Sequence, residues 1–179
     1  MCSFNRPSFN IVAFCTLLVS SLACTGDSSN PGHSLSPGLG QQTNSYTGSI
    51  VSPDGSGLPD GNGTVRDGKI LYETHCAACH GINGQLPGNQ LVGGEGSLST
   101  ENPLKTVGSF WPYATTLYDY IARAMPYNQA KSLSVNEVYA ITGYVLNLND
   151  ILDDDAIVNE MSLPEIVMPN REGFIELIQ

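Results

Sequence analysis

Two thiols and an imidazole stand together at Cys76-Ala77-Ala78-Cys79-His80. In this C-x-x-C-H order the cysteines can add to the two vinyl groups on one edge of a porphyrin, and the histidine that follows comes to lie below the iron. The pattern points to one covalently attached haem c, held by Cys76 and Cys79, with His80 as the proximal ligand of the iron. Two plainer readings compete. A disulfide joining the two cysteines suits an oxidising compartment, but a redox-active C-x-x-C is expected beside a βαβ pattern, and none is visible. A zinc site needs four ligands, and the chain offers no second cysteine pair of this kind. His75, next to the motif, reads as an exposed helix residue.

The sixth iron ligand has to come from elsewhere. A thioether opposite a neutral imidazole raises the potential and closes the iron to exogenous ligands, which suits electron transfer. Met125, Met161 and Met168 lie beyond the motif. Met125 precedes Pro126, which favours extended backbone at the methionine and lets its sulfur project inward. It is the first candidate; Met168, before Pro169, is the second, and core filling is the competing role for any of the three. A metal-bound histidine is usually oriented by a hydrogen bond from its other ring nitrogen, and the carbonyl of Pro87 or a neighbour is the candidate acceptor. Trp111, Tyr113, Tyr118 and Arg123 can wall a haem or bind its propionates, and serve equally well as aromatic core or solvated charge.

These groups need helices to hold them. Thr64 caps a first helix with Asp67 in its opening turn, running through Ile70, Leu71 and Tyr72 to the cysteines. Gly68 and Tyr72 share a face: the glycine admits a close helix crossing and the tyrosine ring covers it. A second helix spans 116–124 and stops at Pro126. For the third, Ser134 and Glu137 form a capping box, Leu133 and Val138 a hydrophobic staple, and Val138, Ile141, Val145 and Leu148 repeat at helical spacing. Residues 81–112 are rich in Gly, Asn and Ser without periodicity, a long loop region that a compact domain tolerates when something besides side chains fills its middle.

Outside that region the sequence changes character. Arg6, an apolar stretch over 11–23 and the small-residue site Ser21-Leu22-Ala23 read as a secretory signal over 1–23, too short to span a membrane. Cys24 follows directly, as in bacterial lipoproteins whose cysteine carries a lipid anchor, although Ser21 stands where those signals place leucine. Plain cleavage after Ala23 leaves Cys24 a thiol, and both readings stand. Residues 24–63, rich in Gly, Ser, Pro and Asn, read as a flexible tether, in which His33 is a solvated side chain. Residues 64–179 form the folded domain. Seventeen acidic against seven basic residues give a net charge of -10, which repels nucleic acid and favours a partner with a basic patch. The run Asp153-Asp154-Asp155 reads as a solvated turn, and 157–179 as a segment that wraps the domain.

Helix with haem motif, loop, Met-Pro and closing helix, in that order, resemble an all-α class I monohaem cytochrome c, three to five short helices around one covalent haem. The run from Phe110-Trp111-Pro112-Tyr113 to Met125-Pro126-Tyr127, with Met168-Pro169-Asn170-Arg171 near the end, is similar to cytochrome subunits of bacterial sulfite dehydrogenases and of the sulfur dehydrogenase of thiosulfate oxidation. That resemblance covers roughly 65–174. It implies Cys76 and Cys79 as haem attachments, His80 and Met125 as iron ligands, and a separate molybdenum oxidoreductase subunit as electron donor; the expected acceptor is a downstream cytochrome or terminal oxidase. Ala122 departs from it, standing where a second arginine is expected beside Arg123. The expected role is periplasmic electron transfer, with catalysis in the partner chain. The rivals are a generic carrier for another dehydrogenase or oxidase, an open-haem gas sensor or peroxidase-like domain, and a disulfide-stapled domain without cofactor.

Overall fold

The computed structural model describes residues 48–174; the signal segment, Cys24 and His33 lie outside them. Within these residues the order is β1 (Asn62–Thr64), α1 (Val65–His75), α2 (Ala77–His80), α3 (Val107–Phe110), α4 (Ala114–Ala124), α5 (Val135–Asn147) and β2 (Ile157–Asn159), with two short 3-10 turns between them and a third after β2. Mainly helical architecture was expected; the two short strands were not.

Helix α1 starts where its cap dictates. Thr64 Oγ1 accepts from the Asp67 N–H at 3.0 Å, and Asp67 puts a carboxylate at the positive end of the helix. Helix α5 begins at the anticipated capping box, with the Glu137 carboxylate accepting from the Ser134 N–H at 2.7 Å and Leu133 and Val138 both buried. The two helices cross at Gly68, where an added Cβ would collide with the Ala140 carbonyl. Tyr72, one turn later, is fully buried and meets Tyr144 edge to face at 5.3 Å. Gly63 faces the Ala140 backbone with as little room, so β1 enters along the same contact.

Helix α4 begins two residues before the expected 116, since Pro112 lies outside it and Ala114 and Thr115 are free to join. Its end is as anticipated: Met125 caps it with extended backbone, φ -115° and ψ 150°. The loop over 81–112 contains structure that periodicity did not signal. A 3-10 turn covers Ser97–Ser99, and α3 is capped by a reciprocal pair, Thr106 and Ser109. Four residues are too few to display a helical repeat.

Residues 48–63, read as the end of the tether, pack on the domain instead. Val51 and Leu58 lie against the core, Tyr139 donates its hydroxyl to the Pro59 carbonyl at 2.8 Å, and Arg123 donates to the Ser49 carbonyl at 2.5 Å. The folded body thus extends N-terminally past Thr64. Composition misses this because the strap is held through its backbone and two apolar side chains. The C-terminal segment returns beside it: β2 pairs antiparallel with β1, Thr64 opposite Ile157, Gly55 lies against Pro164, and Val158, Leu163 and Met168 are buried. It wraps the domain, as its apolar residues suggested.

Substituting Gly68→Ala places a methyl group into the Ala140 carbonyl, so overpacking is expected to cost about 1–3 kcal/mol or more. Chemical denaturation of the haem-loaded protein measures it; a midpoint equal to wild type would mean that the crossing is looser than described.

Candidate haem site

Helix α1 delivers the motif and is tied to it at its end. The Cys76 N–H bonds the Tyr72 carbonyl at 2.8 Å, closing α1, and α2 carries the motif on to His80 before Gly81, at φ 80°, turns the chain away. The Tyr72 hydroxyl donates to the Gly81 carbonyl at 2.9 Å. One tyrosine therefore seals the helix crossing and pins the far side of the motif. Burial keeps its hydroxyl protonated by pushing its pKa well above the ordinary phenol value.

His80 is half-buried, and its Nδ1 lies 2.7 Å from the Asn89 carbonyl. A carbonyl only accepts, so Nδ1 carries the proton and Nε2 keeps the lone pair a metal would need. The acceptor lies two residues beyond Pro87, the candidate named from the sequence; Pro87 itself is exposed. Cys79 is exposed and Cys76 half-buried, and no disulfide joins them. Burial, followed by the neighbouring Cys79, pushes the Cys76 thiol up to about 11.

The three methionines part company. Met125 is half-buried on the rim of the core at the end of α4. Met168 is 1% exposed, which makes it core filler, and Met161 is 73% exposed in a turn. Of the four candidate wall residues, Trp111 is half-buried on the core's rim. The other three have other work. Tyr118 stacks on Tyr139 inside the core at 4.5 Å, Arg123 pairs with Asp119 at 2.7 Å, and Tyr113 lies under the Arg171 guanidinium. Ala122, where a second arginine is expected, is buried beneath the strap beside Ser49 and Val51. A long cation there would have to displace that strap.

Sequence reasoning missed Asn149. Its side-chain amide donates to the Val145 carbonyl at 2.8 Å and to the Leu91 carbonyl at 3.2 Å, while its Oδ1 accepts from the Gly108 N–H at 3.1 Å. This one residue fastens the loop after the motif and α3 to the end of α5. Its only signal in the sequence is an asparagine following a helical repeat, which marks a helix end and nothing more.

The residues present fit a haem. Cys76, Leu91, Trp111, Met125 and Leu148 are partly buried, each packed against the core, and Ile82, Leu86 and Leu104 keep apolar surface exposed in the loop region that follows the motif. Such apolar side chains suit a broad apolar macrocycle. A bare ion does not: among the described residues no group of three or more His, Cys, Asp or Glu could hold a metal.

The cytochrome c family matches residues 65–149, from the start of α1 to Asn149. A chain in the crystal structure of the sulfane dehydrogenase SoxCD from Paracoccus pantotrophus is 40% identical, with a TM-score of 0.70, over 78% of this chain and 72% of that one. No curated protein matches. The chain belongs to the cytochrome c family: its cofactor is covalently bound haem c, and its role is electron transfer. Within that family it is a class I cytochrome resembling the cytochrome subunit of sulfur dehydrogenase.

Replacing Asn149→Ala removes three hydrogen bonds at once, at roughly 1 kcal/mol each. Amide hydrogen exchange should accelerate around Leu91, Val92 and residues 107–110 more than in α1. Uniform acceleration across the protein would contradict the role as a local staple.

Proposed function

We propose that Cys76 and Cys79 would carry the haem by thioether bonds, that His80 Nε2 and the Met125 sulfur would hold its iron, and that the chain accepts electrons from a molybdenum-containing sulfite or sulfur dehydrogenase subunit. The observation that carries the site assignment is the 2.7 Å contact between His80 Nδ1 and the Asn89 carbonyl. It fixes the tautomer and ring orientation and makes Nε2 a stronger donor. Bound to these residues, haem c supplies a one-electron redox centre.

The remaining residues orient and enclose. Tyr72 and Gly81 hold the motif turn, Asn89 holds the imidazole, and Pro126 keeps Met125 out of the helix so that its side chain is available as a ligand. Trp111, Leu91 and Leu148, all partly buried, would restrict water around the haem, and restricted solvent access helps set the potential. With His80 and Met125 both holding the iron, no position would remain for a substrate, and catalysis would lie in the partner. The donor assignment rests on the similarity to a chain of a sulfane dehydrogenase. The net charge of -10 suits a downstream acceptor, a cytochrome or oxidase, with a basic patch. Residues 1–23 and Cys24 support export to the periplasm and a lipid attachment at its membrane surface.

Visible spectra of the chain produced with c-haem maturation test the site. The wild type should be low-spin and unmoved by carbon monoxide when reduced, with the weak far-red sulfur-to-iron band when oxidised. Met125→Ala should lose that band and bind carbon monoxide, and a Cys76→Ser, Cys79→Ser double variant should lose covalent haem on denaturing gels. A carbon-monoxide-sensitive wild type would replace the closed carrier with the open-haem sensor or peroxidase reading. Sulfite together with the molybdenum subunit should reduce the wild type; reduction by another dehydrogenase alone would make it a generic carrier.

A further inference from the structure

Two stretches far apart in sequence close into one aromatic surface. Phe110 and Phe174 meet edge to face at 5.3 Å, and Trp111 meets Tyr120 in the same way at 5.6 Å. Between these pairs Tyr113 forms a backbone bridge with Val167, and the Asn170 amide donates to the Phe110 carbonyl at 2.7 Å. The result is an open face and not a closed core: Val167 is 77% exposed, Phe174 53% and Tyr120 49%. Two cations are laid on the same rings, Lys105 Nζ at 5.0 Å from the Phe110 centroid and the Arg171 guanidinium at 4.5 Å from that of Tyr113. Both are exposed, and among the described residues neither has a carboxylate within ion-pair distance. Glu101 and Glu172, the nearest acids in sequence, are exposed as well.

Resting on the reading of the chain as an electron acceptor for a dehydrogenase subunit, we propose that this aromatic, cationic face is where that donor docks, and that it receives an apolar patch rimmed by carboxylates. The charge distribution selects this occupant. The chain carries -10 overall on only seven Lys and Arg residues, so an acidic protein surface is repelled by the molecule as a whole. Lys105 and Arg171 place two exposed positive charges on this face, each laid over a ring. Aromatic side chains and arginine are the groups enriched at the centres of protein interfaces. A basic acceptor is disfavoured here and favoured on the acidic remainder, so donor and acceptor sort to different faces by charge alone. The face also borders the site: Tyr120 belongs to α4, the helix that ends at Met125.

The test is stopped-flow reduction of the full haem-loaded chain by the molybdenum dehydrogenase subunit with sulfite, in wild type, in a Lys105→Glu, Arg171→Glu double variant and in Val167→Asp. All three side chains are exposed, so folding is expected to survive, and reduction by ascorbate should proceed at the wild-type rate. The second-order rate constant should fall about tenfold or more in both variants, with added salt slowing the wild type and not the double variant. Equal rates in wild type and variants would overturn the docking face and leave the donor assignment intact. A wild type that the subunit does not reduce would overturn both.

Discussion

Everything else in this protein depends on how closely α1 and α5 approach. A helix pair can cross this tightly only where one side chain is missing, and Gly68 supplies the gap into which the Ala140 carbonyl fits. Tyr72 converts that contact into a positioning device. Its ring packs on Tyr144 and its hydroxyl holds Gly81, so the orientation of α1 against α5 is transmitted to the residue just after His80. Without the crossing, the cysteines and the histidine would remain adjacent in sequence but lack a fixed direction relative to the core.

Much of this was readable from local chemistry. Thr64 and Asp67, the reciprocal pair Ser134 and Glu137, and the shared face of Gly68 and Tyr72 each involve residues three or four positions apart, where side-chain chemistry leaves a direct mark. Met125 before Pro126 is legible for the same reason: proline restricts the residue that precedes it. The departures all involve non-local partners or pieces too short for a period. The β1–β2 pairing joins residues near opposite ends of the domain, α3 is a single turn, and the strap over 48–63 is composed like a linker yet is held by Tyr139 and Arg123 from distant helices. Tyr118 and Arg123 looked like wall or propionate ligands only because sequence proximity to Met125 says nothing of which face of α4 they occupy.

The two ends of the described chain perform related tasks on opposite terms. The N-terminal strap is attached chiefly through backbone carbonyls and two half-buried side chains, an attachment that permits the Gly, Ser and Pro composition found there. The C-terminal segment buries Val158, Leu163 and Met168 outright, so it is part of the core. This explains why the methionine that most resembled a rival ligand is instead structural. Met125, by contrast, is only half-buried at a helix end.

The loop between the motif and α4 has few buried side chains of its own, so its geometry must be borrowed. Asn149 lends it, bonding Leu91 and Gly108 from the end of α5. The loop so anchored carries the Asn89 carbonyl that orients His80, while Leu86 N–H returns to the His80 carbonyl at 2.9 Å. A line of dependence therefore runs from the helix crossing, through α5 to Asn149, through the loop to Asn89, and ends on one ring nitrogen. Two of its links, Gly68 against Ala140 and Asn149 on Leu91, join residues distant in sequence. This is why the C-x-x-C-H motif announces the chemistry at once, while the residues that aim the imidazole become visible only when the chain is folded.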